Sequence, residues 1–209
     1  MNRLGLIRFT PHYRTVRWGG QHIAQFKNIH LEDSHVGESW EISSLEGMET
    51  IIAEGPLSGI TITELLCKHG EEILGKELHK RFGERFPLLI KFIDAEDDLS
   101  IQVHPDDRLS DGCGKTELWY IIDAQPGAHI YSGFNQKLTH DEMTRILAER
   151  TITNVLAKHY SQPGDVFYLP AGRVHSIGAG NFVLEIQQPS DITYRLWDYD
   201  RRDADGNLR

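Results

Sequence analysis

The sequence predicts a mainly β protein, an antiparallel β-barrel or double-sheet roll with short helical insertions. Many short apolar or alternating segments are bounded by glycine and proline turns. Only two regions, near 61–83 and 139–158, have the apolar spacing and capping residues of helices. Since no repeat, low-complexity run or clear linker interrupts the 209 residues, we expect one domain of the larger β type over 1–209.

The first 60 residues predict short strands and turns. Residues 17–20 have turn composition, and residues 24–31 are expected to be extended. Residues 35–43 alternate as a strand does, with acidic side chains on both faces. This pattern fits an edge strand facing solvent or the wall of a pocket equally well.

Both helical regions have recognisable starts. Thr61 or Thr63 can cap a first short helix, and the apolar spacing over 71–82 predicts a second. Thr139 begins an amphipathic helix, and a further short helical piece is expected over 152–157.

Residues 86–94 form the most strand-like run of the chain, interrupted by Lys91. A charge buried there is costly unless it is paired or holds an anion. Alternatively, the Lys91 side chain snorkels from the end of the strand. The sequence leaves both interpretations open.

Residues 99–107 and 114–120 predict two strands joined by a Gly-rich turn. Their apolar faces, ending in Leu118 and Tyr120, are expected to face the core. The opposite faces collect side chains that suit a ligand-lined cavity better than solvent: Ser100, Gln102, His104, Lys115, Glu117 and Trp119.

A second informative stretch covers residues 162–178. A Pro-Gly-Asp turn, an apolar strand and a Pro-Ala-Gly turn predict a tight hairpin that presents His175. Residues 181–188 then alternate as a strand, and the last strand, 191–199, places three side chains on one face: Thr193, Arg195 and Trp197.

Four of these residues form a possible metal-binding set. Two neutral imidazoles and a carboxylate suit zinc or another first-row divalent ion, and an amide oxygen can add a weaker fourth ligand. Each residue could also serve singly in the core or at the surface. The set is Gln102, His104, Glu117 and His175.

Charge and composition argue against several classes of function. A formal net charge of -9 argues against non-specific nucleic-acid binding but allows a small anionic substrate in a local basic pocket. No apolar run approaches the ~20 residues that span a bilayer, so no membrane association is expected. The N-terminus lacks an apolar signal region, and Cys67 and Cys113 have no paired spacing, which favours the reducing cytoplasm.

Five motifs resemble the type I mannose-6-phosphate isomerases, most closely their short bacterial form. They are Gly37–Glu41, Ser100–Asp107, Gly114–Tyr120, Leu169–Ser176 and Tyr194–Arg201. The resemblance spans nearly the whole chain and implies a cupin-type β-barrel, or jelly roll, that binds one zinc ion per chain. Members of the short form continue past residues 203–207 into a further small β-domain. Because this sequence stops at Arg209, we expect that β-domain to be absent and the ligand set to be complete.

The resemblance also implies roles for individual residues. Gln102, His104, Glu117 and His175 are implied as zinc ligands. Arg195 and Lys115 are implied as catalytic residues, and Ser100, Lys91 and Asp191 as contacts of the sugar phosphate.

The implied reaction interconverts mannose 6-phosphate and fructose 6-phosphate by moving a proton between C1 and C2 through an enediol. A metal-bound hydroxide, His104 and Lys115 are all arguable as its base. Two other functions stay open: a sugar-phosphate-binding cupin without turnover, and an iron-dependent cupin oxygenase, because two histidines and a carboxylate also match an iron triad.

Overall fold

A computed structural model describes residues 4–202 and 205–207. The described chain is mainly β, as predicted, and it has three α-helices and a short 3-10 helix. In chain order the elements are β1 (Phe9–Thr10), β2 (His12–Gly20), α1 (His22–Lys27), β3 (Val36–Ile42), β4 (Ile51–Ile52), α2 (Ile62–Phe82), β5 (Leu89–Ala95), β6 (Ile101–Val103), β7 (Glu117–Ala124), β8 (His129–Phe134), α3 (His140–Ala148), the 3-10 helix (Ile152–Val155), β9 (Leu156–Tyr160), β10 (Val166–Leu169), β11 (His175–Ile177), β12 (Asn181–Gln187) and β13 (Tyr194–Trp197).

The strands form two large antiparallel sheets and a small ladder. The six-stranded sheet has the order β10-β7-β12-β5-β3-β2, and the five-stranded sheet has the order β13-β6-β11-β8-β9. β1 pairs with β4 in the ladder. Strand order therefore differs from chain order, so several consecutive strands lie in different sheets.

The main apolar core lies between the two large sheets. Trp119 and Val183 of the six-stranded sheet belong to one buried cluster with Ile130 and Ile177 of the five-stranded sheet. A second cluster joins α3 and the 3-10 helix to the five-stranded sheet, through Ile146 and neighbouring apolar residues. α3 and the 3-10 helix thus cover the outer face of the five-stranded sheet, while its inner face packs against the six-stranded sheet.

Both predicted helical regions are confirmed. Thr61 caps α2 in a reciprocal capping box with Glu64, and Thr139 caps α3 in the same way. Non-helical backbone at His69 and Gly75 interrupts α2. The break at His69 lies just before the second helix predicted over 71–82, whereas the break at Gly75 lies within it. The helical piece expected over 152–157 ends at Val155, because β9 begins at the next residue.

Two predictions near the N-terminus are wrong. Residues 24–31 are not extended, since α1 runs to Lys27 and ends at Asn28 in a left-handed conformation. Residues 17–20 are not a turn but the end of β2. Gly19 there marks a close backbone approach, because an added Cβ would lie 2.3 Å from the Gly37 nitrogen.

The strands predicted within 99–107 and 114–120 are confirmed as β6 and β7, whereas the hairpin predicted over 162–178 is wrong. β6 belongs to the five-stranded sheet and β7 to the six-stranded sheet, and β11 and β10 are divided in the same way. Each connecting segment therefore carries the chain across from one sheet to the other. The apolar face of β7 points away from the interior, which leaves Tyr120 42% exposed, while Glu117 and Trp119 face inward and are buried.

Within the described residues, no helix combines the length and the apolar character needed to cross a bilayer. Residues 203 and 204, in the region where the resemblance places the start of a further domain, lie outside the described residues, as do 1–3, 208 and 209.

Candidate metal centre and active site

Three buried side chains from three strands or their ends converge at one point. His104 directly follows β6, His175 begins β11, and Glu117 begins β7 of the opposite sheet. The Nε2 atoms of the two histidines are 3.1 Å apart. The Glu117 Oε1 atom lies 3.0 Å from Nε2 of His175 and 3.5 Å from Nε2 of His104. The two sheets therefore supply one compact donor set.

The outer nitrogens of both rings are held by backbone carbonyls. His104 Nδ1 donates to Ile192 O at 2.9 Å, and His175 Nδ1 donates to Arg173 O at 2.8 Å. A carbonyl oxygen can only accept, so each ring carries its proton on Nδ1 and directs the Nε2 lone pair inward. This is the orientation that metal-ligating histidines adopt.

These residues fit a divalent cation. Metal–ligand distances of about 2.0–2.1 Å in a tetrahedral site place ligand atoms roughly 3.3 Å apart, close to the three separations found here. Glu117 Oε2 pairs with the Lys115 ammonium, whereas Oε1 faces the two imidazoles and makes no hydrogen bond within the described residues. Two lone pairs and a carboxylate facing one another need positive charge between them. His104, Glu117 and His175 could therefore hold a metal ion.

Gln102 lies at the edge of this donor set. Its Nε2 atom is 3.5 Å from Nε2 of His175, and its Oε1 accepts a hydrogen bond from Ser100 Oγ at 3.2 Å. A half-turn of the amide would bring Oε1 to the position of Nε2, since the two ends of a carboxamide have the same shape. The predicted fourth ligand is thus adjacent to His175, one of the other three.

Lys115 sets the electrostatics of the centre. Its Nζ atom lies 2.8 Å from Oε2 of Glu117 and 3.2 Å from Nε2 of His104. Burial opposes charge on Glu117, but the Lys115 ammonium beside it favours the ionised form, and the pKa of Glu117 lies well below its usual range. Burial, aided by the Lys115 cation, lowers the pKa of His104. An ionised carboxylate and a neutral imidazole are the forms that bind a metal.

A cavity of about 210 Å³ lies beside the centre, between the sheets. All six predicted site residues outside the donor triad line it: Lys91, Ser100, Gln102, Lys115, Asp191 and Arg195. Gln102 and Lys115 also contact the triad, so the cavity and the donor set are one continuous site.

Arg195 lies on β13, directly opposite Gln102 in the pairing register. Its side chain is exposed, and among the described residues it makes no ion pair with a carboxylate. The neighbouring Trp197 does not share its face as predicted, because a register shift after Arg195 turns Trp197 into the outer cluster with α3. Arg195 is therefore a cation available to a ligand in the cavity.

Lys91 is paired, which decides between the two interpretations of the sequence. Its Nζ atom lies 2.9 Å from Oε2 of Glu185 and 3.4 Å from Oε2 of Glu38, and the residue is 8% exposed. Burial lowers the pKa of Lys91, but the two carboxylates outweigh burial and raise the pKa above its usual value. The snorkelling interpretation is wrong.

Sequence reasoning missed Glu185 and Glu38 as parts of the site. Trp119 Nε1 donates to Glu185 Oε1 at 2.9 Å, and Trp40 Nε1 donates to Glu38 Oε2 at 2.5 Å. Both carboxylates line the cavity. Glu185 could have been found from the sequence. The alternation along β12 puts it on one face with Val183 and Gln187.

The two missed carboxylates have opposite electrostatic settings. Burial and the nearby charge of Glu117 raise the pKa of Glu185, although Lys91 and Lys115 oppose the rise. Burial also disfavours charge on Glu38, but Lys91 and Arg14 outweigh it and lower the pKa. Arg14, whose guanidinium lies 3.6 Å from Glu38, adds a further cation to the cavity wall.

Comparison with known proteins places this site in a family. The sequence model of the type I phosphomannose isomerase catalytic domain matches residues 6–137. The chain belongs to this family. The matched segment includes β6, β7 and the segment between them, and therefore His104, Lys115 and Glu117.

Related isomerases match over most of the chain. The mannose-6-phosphate isomerase ManA of Bacillus subtilis is 40% identical over 206 residues, which cover 96% of this chain and 63% of that protein. The mannose-6-phosphate isomerase of Streptococcus mutans is 37% identical over 92% of this chain and 60% of its own length. The chain thus spans about three-fifths of these relatives.

A solved structure agrees with the fold. The crystal structure of mannose 6-phosphate isomerase from Bacillus subtilis has a TM-score of 0.87 to this chain at 38% identity. The match covers 97% of this chain and 64% of that one.

Proposed function

We propose that this chain is the catalytic unit of a zinc-dependent mannose-6-phosphate isomerase, with a cupin-type jelly-roll barrel over residues 1–209. The observation that carries the proposal is that a buried His-Glu-His donor set lies beside a cavity lined by Arg195, which makes no ion pair among the described residues. A donor set alone fits many metalloproteins. The added cation is what an anionic sugar phosphate or a developing enediolate requires.

We assign the metal to His104, Glu117 and His175, with Gln102 as a fourth ligand. Three or four ligands of this type suit zinc, which has no redox chemistry and tolerates an open position. When bound, one zinc ion per chain would supply Lewis-acid polarisation to the carbonyl and hydroxyl oxygens at C1 and C2.

Lys115 and Arg195 are the proposed catalytic residues. Moving a proton between C1 and C2 builds negative charge on the enediol oxygens, and cations held in a water-poor cavity stabilise that charge. Arg195 keeps its proton throughout because guanidinium groups do not deprotonate in proteins. Lys115 holds its ammonium between Glu117 and His104. From that position it can stabilise charge beside the donor set.

We assign the remainder of the cavity to the sugar phosphate, with Ser100, Lys91 and Asp191 as contacts. The positive charge of Lys91 is already balanced by Glu185 and Glu38. Its ammonium can therefore donate a hydrogen bond to substrate but adds little net attraction. Arg14 is likewise paired with Glu38, so the net attraction for the phosphate rests on Arg195.

The proposed substrate is a free sugar phosphate, without a nucleic acid or a membrane as partner. We also propose that the protein works in the cytoplasm, where the two free cysteines, Cys67 and Cys113, would stay reduced.

The decisive experiment measures metal content and turnover on the same preparation. We expect about one zinc per chain, conversion of mannose 6-phosphate to fructose 6-phosphate in a coupled assay, and proton exchange with solvent at C1 or C2. Bound zinc without turnover would support a binding protein instead. Bound iron with oxygen uptake would support the oxygenase.

A further inference from the structure

The last residue of β12, Gln187, holds a turn beside the metal centre. Its side chain is 1% exposed, and Nε2 donates to two backbone carbonyls, Gln188 O at 2.8 Å and Ser190 O at 2.6 Å. Its Oε1 makes no hydrogen bond within the described chain. The carboxamide therefore contributes through its two donor bonds, which fix the backbone of residues 188–190.

The held turn is connected to His104. Ser190 Oγ accepts a hydrogen bond from Ile192 N at 3.3 Å, and Ile192 O accepts the Nδ1 proton of His104 at 2.9 Å. Contacts thus run without interruption from the Gln187 amide, through Ser190 and Ile192, to the ring of a donor residue.

The same turn is fastened to the strand that carries Glu117. Thr116 N donates to Gln188 Oε1 at 2.8 Å, and Gln188 N donates to Thr116 O at 3.0 Å. In the register, Gln187 lies directly opposite Glu117 itself. The turn 188–190 therefore lies between Thr116, the residue before Glu117, and Ile192, whose carbonyl orients His104.

We propose that Gln187 is a positioning residue of the metal centre. Its two N–H groups keep the turn 188–190 in place, so that Ile192 O holds the His104 ring with Nε2 directed at Glu117 and His175. Carbonyl partners of ligating histidines tune metal affinity, and losing one weakens binding 10- to 100-fold. Gln187 acts one step further out, so its loss should weaken binding by about tenfold.

The chain offers a matched control on the same strand. Asn181, the first residue of β12, is also 1% exposed. Its Nδ2 atom likewise donates to two backbone carbonyls, Gly178 O at 2.8 Å and His129 O at 3.1 Å. Six residues of strand place it about 20 Å from Gln187. Replacing Asn181 removes the same two kinds of donor bond, together with one that its Oδ1 accepts from Ser161 Oγ at 2.6 Å, without touching the turn 188–190.

The test compares Gln187→Met with Asn181→Leu, both close in shape to the original side chain. Zinc dissociation constants are measured by competition with a chromophoric chelator, and exchange of the His104 Nδ1 proton is followed by NMR. We expect Gln187→Met to weaken zinc binding about tenfold and to speed that exchange. Asn181→Leu should lower the melting temperature while leaving the zinc constant within about twofold of wild type.

A second variant keeps the test valid if Gln187→Met does not fold. Ser190→Ala removes only the hydroxyl that accepts from Ile192 N, and it should weaken zinc binding in the same direction by a smaller factor. Zinc constants within about twofold of wild type for every folded variant of this pair would overturn the proposal.

The role proposed for Gln187 rests on the proposed function, because it requires a bound metal. Different measurements would contradict the isomerase activity and the role of Gln187. Wild-type protein that binds zinc without isomerising mannose 6-phosphate would contradict the isomerase and leave the role of Gln187 measurable. If the isomerase is active, a fall in kcat with a smaller change in KM is expected for Gln187→Met.

Discussion

The Nε2 atoms of His104 and His175 lie 3.1 Å apart, with each ring fixed from behind by a backbone carbonyl. Two imidazoles in this arrangement both present a lone pair to the same small volume. Such a pair is unfavourable in isolation, and a shared cation removes the conflict.

Loss of either histidine should abolish metal binding. His104→Ala and His175→Ala each remove one donor from the set, and we expect less than a tenth of the wild-type zinc after dialysis against buffered metal. The exposed His159 provides the matched control, and His159→Ala should keep full zinc content. Unchanged metal in the first two variants would contradict the donor assignment.

Arg195→Ala should separate chemistry from metal binding. The side chain is exposed and makes no ion pair in the described part of the chain, so its loss should leave folding and zinc content unchanged. Removing a group that stabilises transition-state charge typically lowers kcat by about 10²- to 10³-fold. Turnover of mannose 6-phosphate at the wild-type rate would exclude Arg195 from the mechanism. Arg145→Ala, on α3, serves as the control.

Lys91→Met should destabilise the protein strongly. It leaves Glu185 and Glu38 buried without their shared cation, and breaking a buried pair in this way costs about 3–5 kcal/mol. Urea unfolding measures the loss. Adding Glu185→Gln should recover part of it, since one unpaired charge is removed. The exposed ion pair of Arg8 and Glu54 provides the control. Arg8→Met should lower the free energy of unfolding by less than about 1 kcal/mol.

Glu38 should give the stability a specific dependence on acid pH. The cations around it hold the pKa of Glu38 below its usual value in the folded protein, so the unfolded chain binds the proton first as pH falls. The stability that Glu38 contributes is therefore complete above its unfolded pKa of about 4.3, and it is lost as pH falls through the lower folded value.

The matched comparison is with Glu38→Gln, which keeps the shape without the charge. The difference in unfolding free energy between wild type and the variant should be constant from pH 6 to 8. It should shrink below about pH 4. A difference that grows on acidification would contradict this electrostatic assignment.

Removing the metal should lower the melting temperature reversibly. A ligand that binds only the folded state at 100 times its Kd stabilises it by about 2.7 kcal/mol. For a chain of this size that corresponds to a shift of roughly 5–10 °C. Calorimetry with and without a chelator measures the shift, and added zinc should restore it. A melting temperature indifferent to chelation would contradict a stably bound ion.

Local features of the fold could be read from the sequence because they depend on neighbouring residues. Thr61 and Thr139 start helices through capping boxes that need only the residue three positions later. Alternation along β7 likewise identified Glu117 and Trp119 as sharing a face. Helix α1 escaped prediction because the packing of Ile23 against Val36 and Phe182 stabilises it, rather than local capping.

The assignment of strands to sheets could not be read locally. Nothing in residues 99–120 distinguishes a hairpin from a crossing between sheets, and the crossing is what points Tyr120 outward. The ion pairs of Lys91 were hidden for the same reason, since Glu38 and Glu185 lie on its two neighbouring strands. The sequence showed that Lys91 needs a partner without showing which residue provides it.

The donor atoms come from opposite sheets, and this makes the apolar core a determinant of site geometry. Ile177 and Trp119 lie in the layer that separates the five-stranded sheet, with its histidines, from the six-stranded sheet, with Glu117. The thickness of that layer fixes how far the carboxylate stands from the imidazoles. We therefore expect changes in apolar side-chain volume in this layer, some of whose residues also line the cavity, to alter the spacing of the donor atoms.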